Sequence, residues 1–256
     1  MIPKVIHYCW FGGNPIPENY LQYMESWKKY CPDYDIKRWD ESNFDFTIND
    51  YCREAYEAKQ WAFVSDYARL YILYHYGGVY LDTDVEVIKD LTPLIEDGVG
   101  FIGFQNQLQA QTGLGFAAAP NNPCVKAMLD VYKNRRFLQS DGTFNRVPCP
   151  ATNTVGLLQK GLKIGKIPSQ QIQCLDGMKV YPQEYFNPLN ADTKQLQITK
   201  NTYTIHHYTA SWLGTGNKWK QLLKRLIPNW YLNQRVLKIS KRDIEKIQSE
   251  INWWEG

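Results

Sequence analysis

No apolar run in this 256-residue chain approaches the roughly 20 residues needed to span a bilayer. The opening residues, Met1 to Trp10, lack the basic start and long apolar core of a secretory signal. The expectation is a protein that is soluble or peripherally attached. Cysteine is sparse: Cys9, Cys31, Cys52, Cys124, Cys149 and Cys174 form no CxxC and no Cys/His cluster at zinc spacing. In a chain long enough to need no disulfide scaffold, this predicts free thiols in a reducing cytoplasm. An excess of one charge is lacking too. The 29 Lys and Arg against 26 Asp and Glu leave a formal charge of +3, too small to make nucleic acid the main partner. There is no internal repeat.

Aromatics, by contrast, are abundant, with 9 Trp, 18 Tyr and 10 Phe, and flat rings suit core packing as well as the faces of sugars and bases. Lys4 to Trp10 reads as a first strand stopped by Gly12-Gly13, Pro15 and Pro17. Tyr20, Leu21, Met24 and Trp27 recur at helical spacing from Glu18 to Tyr30, and Asp35 to Trp39 is a second strand. Asn49 caps a helix running to about Lys59. Trp61 to Tyr76 is a helix apolar on nearly every side, ended by Gly77-Gly78. Val79-Tyr80-Leu81 is a short buried strand, and Val85, Val87 and Ile88 resume an alternating pattern. Further strands are expected over Gly100 to Phe104, Leu114 to Ala119 and Tyr203 to Tyr208. Helices are expected over Pro123 to Arg136, Thr152 to Leu162, Lys218 to Ile227 and Tyr231 to Trp253. The Gln-, Pro- and Asn-rich stretch from Pro168 to Lys200 shows no clear period. Alternating strands and helices argue for an α/β sheet covered on both faces, with ligands at strand carboxyl ends.

An acidic segment stands at such an end. In an extended chain residues i and i+2 share a face, so Asp82, Asp84 and Glu86 are expected to point together from the strand Val79-Tyr80-Leu81. Such a cluster needs a positive partner. A hard cation, Mg2+ or Mn2+, takes oxygen ligands and is completed by diphosphate oxygens. Asp33-Tyr34-Asp35 repeats the DxD pattern in what reads as a solvated turn, so the tripeptide alone decides little. The preceding helix supplies context, because Asp66 and Arg69 lie among Phe63, Val64, Tyr67, Leu70, Ile72 and Leu73. Charges that deep are rare unless paired or functional. As functional groups, Asp66 accepts from sugar hydroxyls and Arg69 faces a diphosphate; as structural ones, they fasten the helix.

The run from Phe63 through Ser65-Asp66-Tyr67-Ala68-Arg69, Tyr76-Gly77-Gly78-Val79-Tyr80-Leu81 and Asp82-Thr83-Asp84-Val85 resembles the signature of the DxD-containing sugar-binding-region glycosyltransferases. Fungal initiating mannosyltransferases and bacterial capsular polysaccharide transferases belong to this group. Ile2 to Gly13 is similar to that family's beginning, and His206-His207 with Ser211-Trp212 to its end. More distantly, the same blocks resemble the catalytic domains of glucosylating bacterial toxins. The resemblance implies an A-type glycosyltransferase fold, a Rossmann-like mixed sheet with helices on both faces, and retention of anomeric configuration. It implies that Trp10 stacks on the base, Asp66 and Arg69 hold donor sugar and diphosphate, and Tyr80 lines the nucleotide pocket. By the same resemblance Asp82, Asp84 and His207 ligate the metal, while Ser211 and Trp212 close over the donor on a loop loosened by Gly214 and Gly216. His206 is read as a core histidine.

Between Trp212 and Arg242 there is no Asp or Glu, yet Lys218, Lys220, Lys224, Arg225, Arg235, Lys238 and Lys241 occur among leucines and aromatics. Such basic amphipathic helices either lie on an anionic membrane, where a lipid-linked acceptor is found, or pack as a lid with a solvated face. The expected organisation is a catalytic domain over residues 1–216 and a basic helical extension over 217–256. The expected activity is transfer of a hexosyl unit from a nucleotide-sugar to a glycan, in capsular or surface polysaccharide synthesis, at the cytoplasmic side. Catalytic roles fall to Asp66, Arg69 and Asp84. Two rivals stand: an aspartate-nucleophile magnesium phosphohydrolase, whose pattern wants Thr or Val where Glu86 stands, and a non-catalytic carbohydrate-binding module.

Overall fold

The computed structural model describes residues 1–209 and 227–252. In chain order these give β1 (Val5–Cys9), α1 (Glu18–Tyr30), β2 (Asp35–Trp39), α2 (Asp50–Glu57), α3 (Trp61–Tyr76), β3 (Gly78–Tyr80), β4 (Val85–Val87), β5 (Gly100–Asn106), β6 (Gln109–Gln111) and β7 (Phe116–Ala118). Then follow α4 (Pro123–Asp130), α5 (Cys149–Leu158), β8 (Gln173–Leu175), β9 (Met178–Tyr181), β10 (Thr204–His206) and α6 (Asn229–Asn252). One sheet runs β2-β1-β3-β7-β5-β9-β8, with β6 beside β5, and β10 pairs β4 in a small second sheet. β1 is parallel to both neighbours, β2 and β3, whereas β7 is antiparallel to β3 and β5. This is the mixed α/β sheet expected.

Alternating residues feed two cores. Tyr80, Ile102, Phe104, Phe116 and Ala118 join α2, α3 and α4 on one face. Val79, Phe101 and Ala117 turn the other way, toward Trp27 of α1 and Val85 and Val87 of β4. Period-two alternation with apolar residues on both faces is the mark of a sheet sandwiched between layers. Within α3, Val64, Ala68, Leu70, Ile72 and Leu73 have no exposed surface, and each large apolar side chain buried this way contributes roughly 1.5–3 kcal/mol.

His7 locks the parallel strands together. Its Nδ1 accepts from Trp39 Nε1 on β2 at 3.0 Å and its Nε2 donates to the Gly77 carbonyl at 3.0 Å. That pairing requires the neutral ring, and burial holds the pKa down to about 4, with the Gly77 bond opposing and Lys37 adding to the shift. Gly77 and Gly78, at φ 65° and 102°, turn α3 into β3. A Cβ on Gly78 would meet the Val5 carbonyl at 2.7 Å and His7 Nε2 at 3.0 Å, so a side chain is excluded there by both conformation and space.

Several elements depart from expectation. α4 stops at Asp130 rather than Arg136, and the chain continues in turns, with Tyr132 N–H donating to Leu129 and Arg135 N–H to Tyr132. The Glu54 carboxylate takes the amides of Phe137 and Leu138, each at 2.9 Å, and this tertiary anchor redirects the backbone. α5 begins earlier, at Cys149, and ends at Leu158. β6 fell within a stretch with no strand signal, and the unassigned region supplies the β8–β9 hairpin. α6 docks Ile244 and Ile247 against Val131, Val147, Ala151 and Val155, while Arg235, Lys238, Lys241 and Arg242 stay exposed. The helix expected over Lys218 to Ile227 falls, up to residue 226, outside the described residues.

Candidate active site

β1 and β3 are parallel neighbours, so their carboxyl ends open on the same edge of the sheet, beside the point where strand order reverses. Trp10 follows β1 there and Asp82 follows β3. Asp82 and Asp84 do not lie in an extended strand, as expected above. The Val85 amide donates to the Asp82 carbonyl at 3.0 Å, closing a tight turn. That turn gathers the two carboxylates, and the chain leaves it into β4 with Glu86 directed elsewhere.

The structure brings His206, rather than His207, beside the two aspartates. In the antiparallel pair β4–β10, His206 stands opposite Val85. Its Nε2 lies 3.3 Å from Asp84 Oδ1 and 3.9 Å from Asp82 Oδ2. His207 faces the other side of that strand, where its Nε2 meets Glu86 Oε2 at 2.9 Å and its ring stacks on Tyr23. The physical reason is strand alternation: adjacent residues on β10 and its continuation point to opposite faces, and the buried one belongs to the carboxylates. Among the described residues, Asp82, Asp84 and His206 offer ligand atoms that all lie within 4.8 Å of one another. Two carboxylates and an imidazole suit Mn2+ or Mg2+. Among the described residues His206 Nδ1 is buried without a hydrogen-bond partner.

Behind the turn, Arg69 is a brace. Its Nη2 lies 3.0 Å from Asp82 Oδ1 and 3.3 Å from Asp66 Oδ1, and its Nε donates to the Ser65 carbonyl at 3.0 Å. The Tyr80 hydroxyl donates to Asp82 Oδ1 at 3.1 Å, and the Arg69 guanidinium sits 5.0 Å from the Tyr80 ring centre. Asp66 and Arg69 are thus paired with each other, and Arg69 with Asp82 as well.

The electrostatics favour an added cation. Asp66 and Asp82 share one guanidinium, and Asp84 beside them faces His206 and Thr209 instead. Burial pushes Asp66 and Asp82 above the usual carboxylate range, although Arg69 opposes it, and the charge of Asp84 adds to the shift on Asp82. For Asp84, burial acts the same way but is outweighed by His206 and by hydrogen bonds from the Thr209 amide and hydroxyl, each 3.0 Å from Oδ2, so its carboxyl is held low.

Sequence reasoning missed several neighbours. The Thr209 hydroxyl bridges Asp84 to the Tyr20 hydroxyl at 2.6 Å, and the Tyr20 ring meets Trp10 edge-on at 5.9 Å between centres. Trp10 is therefore tied to the carboxylates through two side chains. Gly113 faces Asp82: an added Cβ would overlap Asp82 Oδ2 and stand 3.1 Å from Arg69 Nη1 and from Gln111 Nε2. Gln111 Oε1 and Asn153 Oδ1 are buried without hydrogen-bond partners among the described residues. Buried orphan carbonyl oxygens in one small region are expected where hydroxyls of a ligand complete them. No sequence period marks these residues. Ser211 and Trp212 lie outside the described residues, as do Gly214 and Gly216. An open cleft of about 610 Å3 lined by Gly12, Gly13, Glu41, Tyr56, Lys59 and Trp61 includes none of Asp66, Asp82 and Asp84.

Residues 17–101, which include α3, the glycine turn and the carboxylate turn, match the family described as the glycosyltransferase sugar-binding region containing DXD motif. This part of the chain is similar to that family. Inositol phosphoceramide mannosyltransferase 3 of Schizosaccharomyces pombe is 39% identical over 98 residues, 37% of this chain and 27% of that protein. The chain thus spans about a quarter of that relative's length. An uncharacterized glycosyltransferase of Acanthamoeba polyphaga mimivirus is 26% identical over 228 residues, covering 83% of this chain and 84% of that one. Among solved structures, one described as PaToxG glycosyltransferase superposes with a TM-score of 0.45 at 23% identity, over 62% of this chain and 69% of that one.

Proposed function

We propose that this chain is a divalent-cation-dependent hexosyltransferase that uses a nucleotide-sugar donor. The observation that carries the reading is the convergence of Asp82, Asp84 and His206 on a buried turn within the DXD region. Bound there, Mn2+ or Mg2+ supplies charge stabilisation to the departing nucleoside diphosphate. The chain's own residues do the positioning. Arg69 and Tyr80 fix the Asp82 carboxylate, and Thr209 fixes that of Asp84, so the ligand atoms need little reorganisation. Asp66, beside Arg69, and the orphan oxygens of Gln111 and Asn153 are acceptors for donor-sugar hydroxyls. Trp10, at the end of β1, offers an aromatic face for the base. The site holds no nucleophile of its own in this reading, and rate comes from the cation, the leaving group and alignment of the acceptor hydroxyl, with retention at the anomeric carbon.

A glycan or lipid-linked saccharide is the proposed acceptor. The names of the fungal relatives, inositol phosphoceramide mannosyltransferases, support a mannosyl donor and a lipid-linked acceptor; a capsular or surface polysaccharide is the other acceptor of this class. Incubation with a panel of UDP- and GDP-sugars is expected to release nucleoside diphosphate with one of them, only when Mn2+ or Mg2+ is present. Release unaffected by EDTA would overturn the metal role. Inorganic phosphate from phosphate esters, with no nucleotide released from any sugar nucleotide, would replace the reading by a phosphohydrolase.

A further inference from the structure

We propose that the cleft between the 188–197 loop and the first turn of α6 is a binding subsite for a neutral saccharide, positioned for the acceptor glycan. Its assignment to the acceptor rests on the transferase reading above; its chemistry does not. The cleft, about 200 Å3, is lined by Gln183, Asn190, Gln195, Gln197, Asn229 and Asn233, with Pro188 as the seventh residue. That is below the roughly 300–1,000 Å3 of sites for drug-sized ligands, and suits a single sugar ring.

The lining is the argument. Among the described residues, no charged side chain borders the cleft, so it is built for neither a phosphate nor a carboxylate. A carboxamide carries both donors and an acceptor, and it therefore meets a sugar hydroxyl in either of its roles. Six carboxamides around one cleft are a poor solution for packing, since the core excludes them. They are a good one for a ligand made of hydroxyls. The side chains of Gln195, Gln197, Asn229 and Asn233 make no hydrogen bond with other described residues, whereas Asn190 Oδ1 accepts from the Asp192 and Thr193 amides and shapes the loop.

Both walls are tied to the fold by backbone hydrogen bonds or by packing, which limits the entropy lost on binding. Leu189 bridges Leu196, the Asn190 amide donates to the Gln195 carbonyl and the Gln197 amide to the Pro188 carbonyl. Opposite, Asn229 and Asn233 lie four apart on one helical face, in a turn fixed by buried Leu232. The loop also touches the cation site's own strand. Lys194 Nζ donates to the His207 carbonyl at 3.3 Å, and the Tyr208 hydroxyl donates to Asn187 Oδ1 at 2.8 Å, one residue before Pro188. A saccharide in the cleft therefore lies against a loop that contacts His207 and Tyr208, directly after the strand that carries His206.

The test is NMR titration of the full chain with lactose, mannobiose, cellobiose and chitobiose, following the side-chain amide signals of Gln197 and Asn233. One of these sugars is expected to shift both signals, and Gln197→Ala with Asn233→Ala to weaken its binding about tenfold or more. No shift with any of them, equal binding by the double variant, or shifts produced only by phosphorylated sugars would overturn the proposal. The same samples are titrated with Mn2+ and UDP or GDP. Sugar binding at the cleft without nucleotide binding upholds the subsite while removing its acceptor role, so the two readings fail separately.

Discussion

The chain contains the tripeptide Asp-x-Asp twice, and the two copies have opposite fates. Asp33 and Asp35 flank Tyr34 at the entry to β2, where the Asp33 side chain is 80% exposed and its ion pair with Lys4 spans 3.9 Å. Asp82 and Asp84 flank Thr83 after β3, with side chains 23% and 14% exposed and Arg69, Tyr80, His206 and Thr209 around them. In the first copy only Tyr34 is committed to the core. A carboxylate in water needs nothing further, whereas one held inside a fold must be paired, and the pairing is what creates a site.

The largest way to sharpen that contrast is Asp84→Ala, expected to lower sugar transfer on the order of 10^3-fold or more and to abolish Mn2+-dependent nucleotide binding, with the circular dichroism spectrum unchanged. Full activity in this variant would erase the difference between the copies.

Next comes the strand that carries the outer copy, which is held by Trp39 and His7 rather than by its aspartates. The His7 pKa is about 4 in the folded chain against 6.5 when free, so the unfolded state binds more protons between these values. The contribution is present in full above pH 6.5 and is lost as pH falls toward 4, up to about 3 kcal/mol. Urea unfolding from pH 7 to pH 4 is expected to show this slope, and His7→Gln to flatten it.

His206→Ala is expected to weaken Mn2+ binding about 10- to 100-fold. His207→Ala, which breaks only a partly exposed pair with Glu86, should stay within about fivefold. Equal losses in a calorimetric titration would undo the assignment of His206. Gly113→Ala forces Asp82 aside and should weaken Mn2+ about tenfold, the effect of mild overpacking. Smallest of all, Asp33→Ala should leave transfer unchanged and shift stability by less than about 0.5 kcal/mol.

Much of this was legible in the chain itself. Glu18–Tyr30, Asp35–Trp39 and Trp61–Tyr76 are where periodicity put them, because each has an unambiguous period and a Pro, Gly or turn beside it. Asn49 caps α2, accepting from the Cys52 amide at 3.1 Å. The unit from Phe63 to Val85 was recognisable because a buried helix carrying Asp66 and Arg69 and ending in Gly77-Gly78 is a local pattern. α4 was overrun because its stop is set by Glu54, some eighty residues away along the chain.

What the sequence determined by itself, then, is the order of strands and helices as far as β4, the buried character of α3 and the delivery of Asp82 and Asp84 at a strand end. These follow from interactions within a few residues: apolar period, caps and glycine conformation. Which histidine meets the carboxylates was decided only in three dimensions. His206 and His207 are neighbours with identical chemistry, and the face each presents depends on how β10 pairs with β4, a contact between segments more than a hundred residues apart. The same is true of Gln111, Gly113, Asn153 and Thr209, which gather around one turn from separate parts of the chain because the sheet brings its strand ends to a common edge.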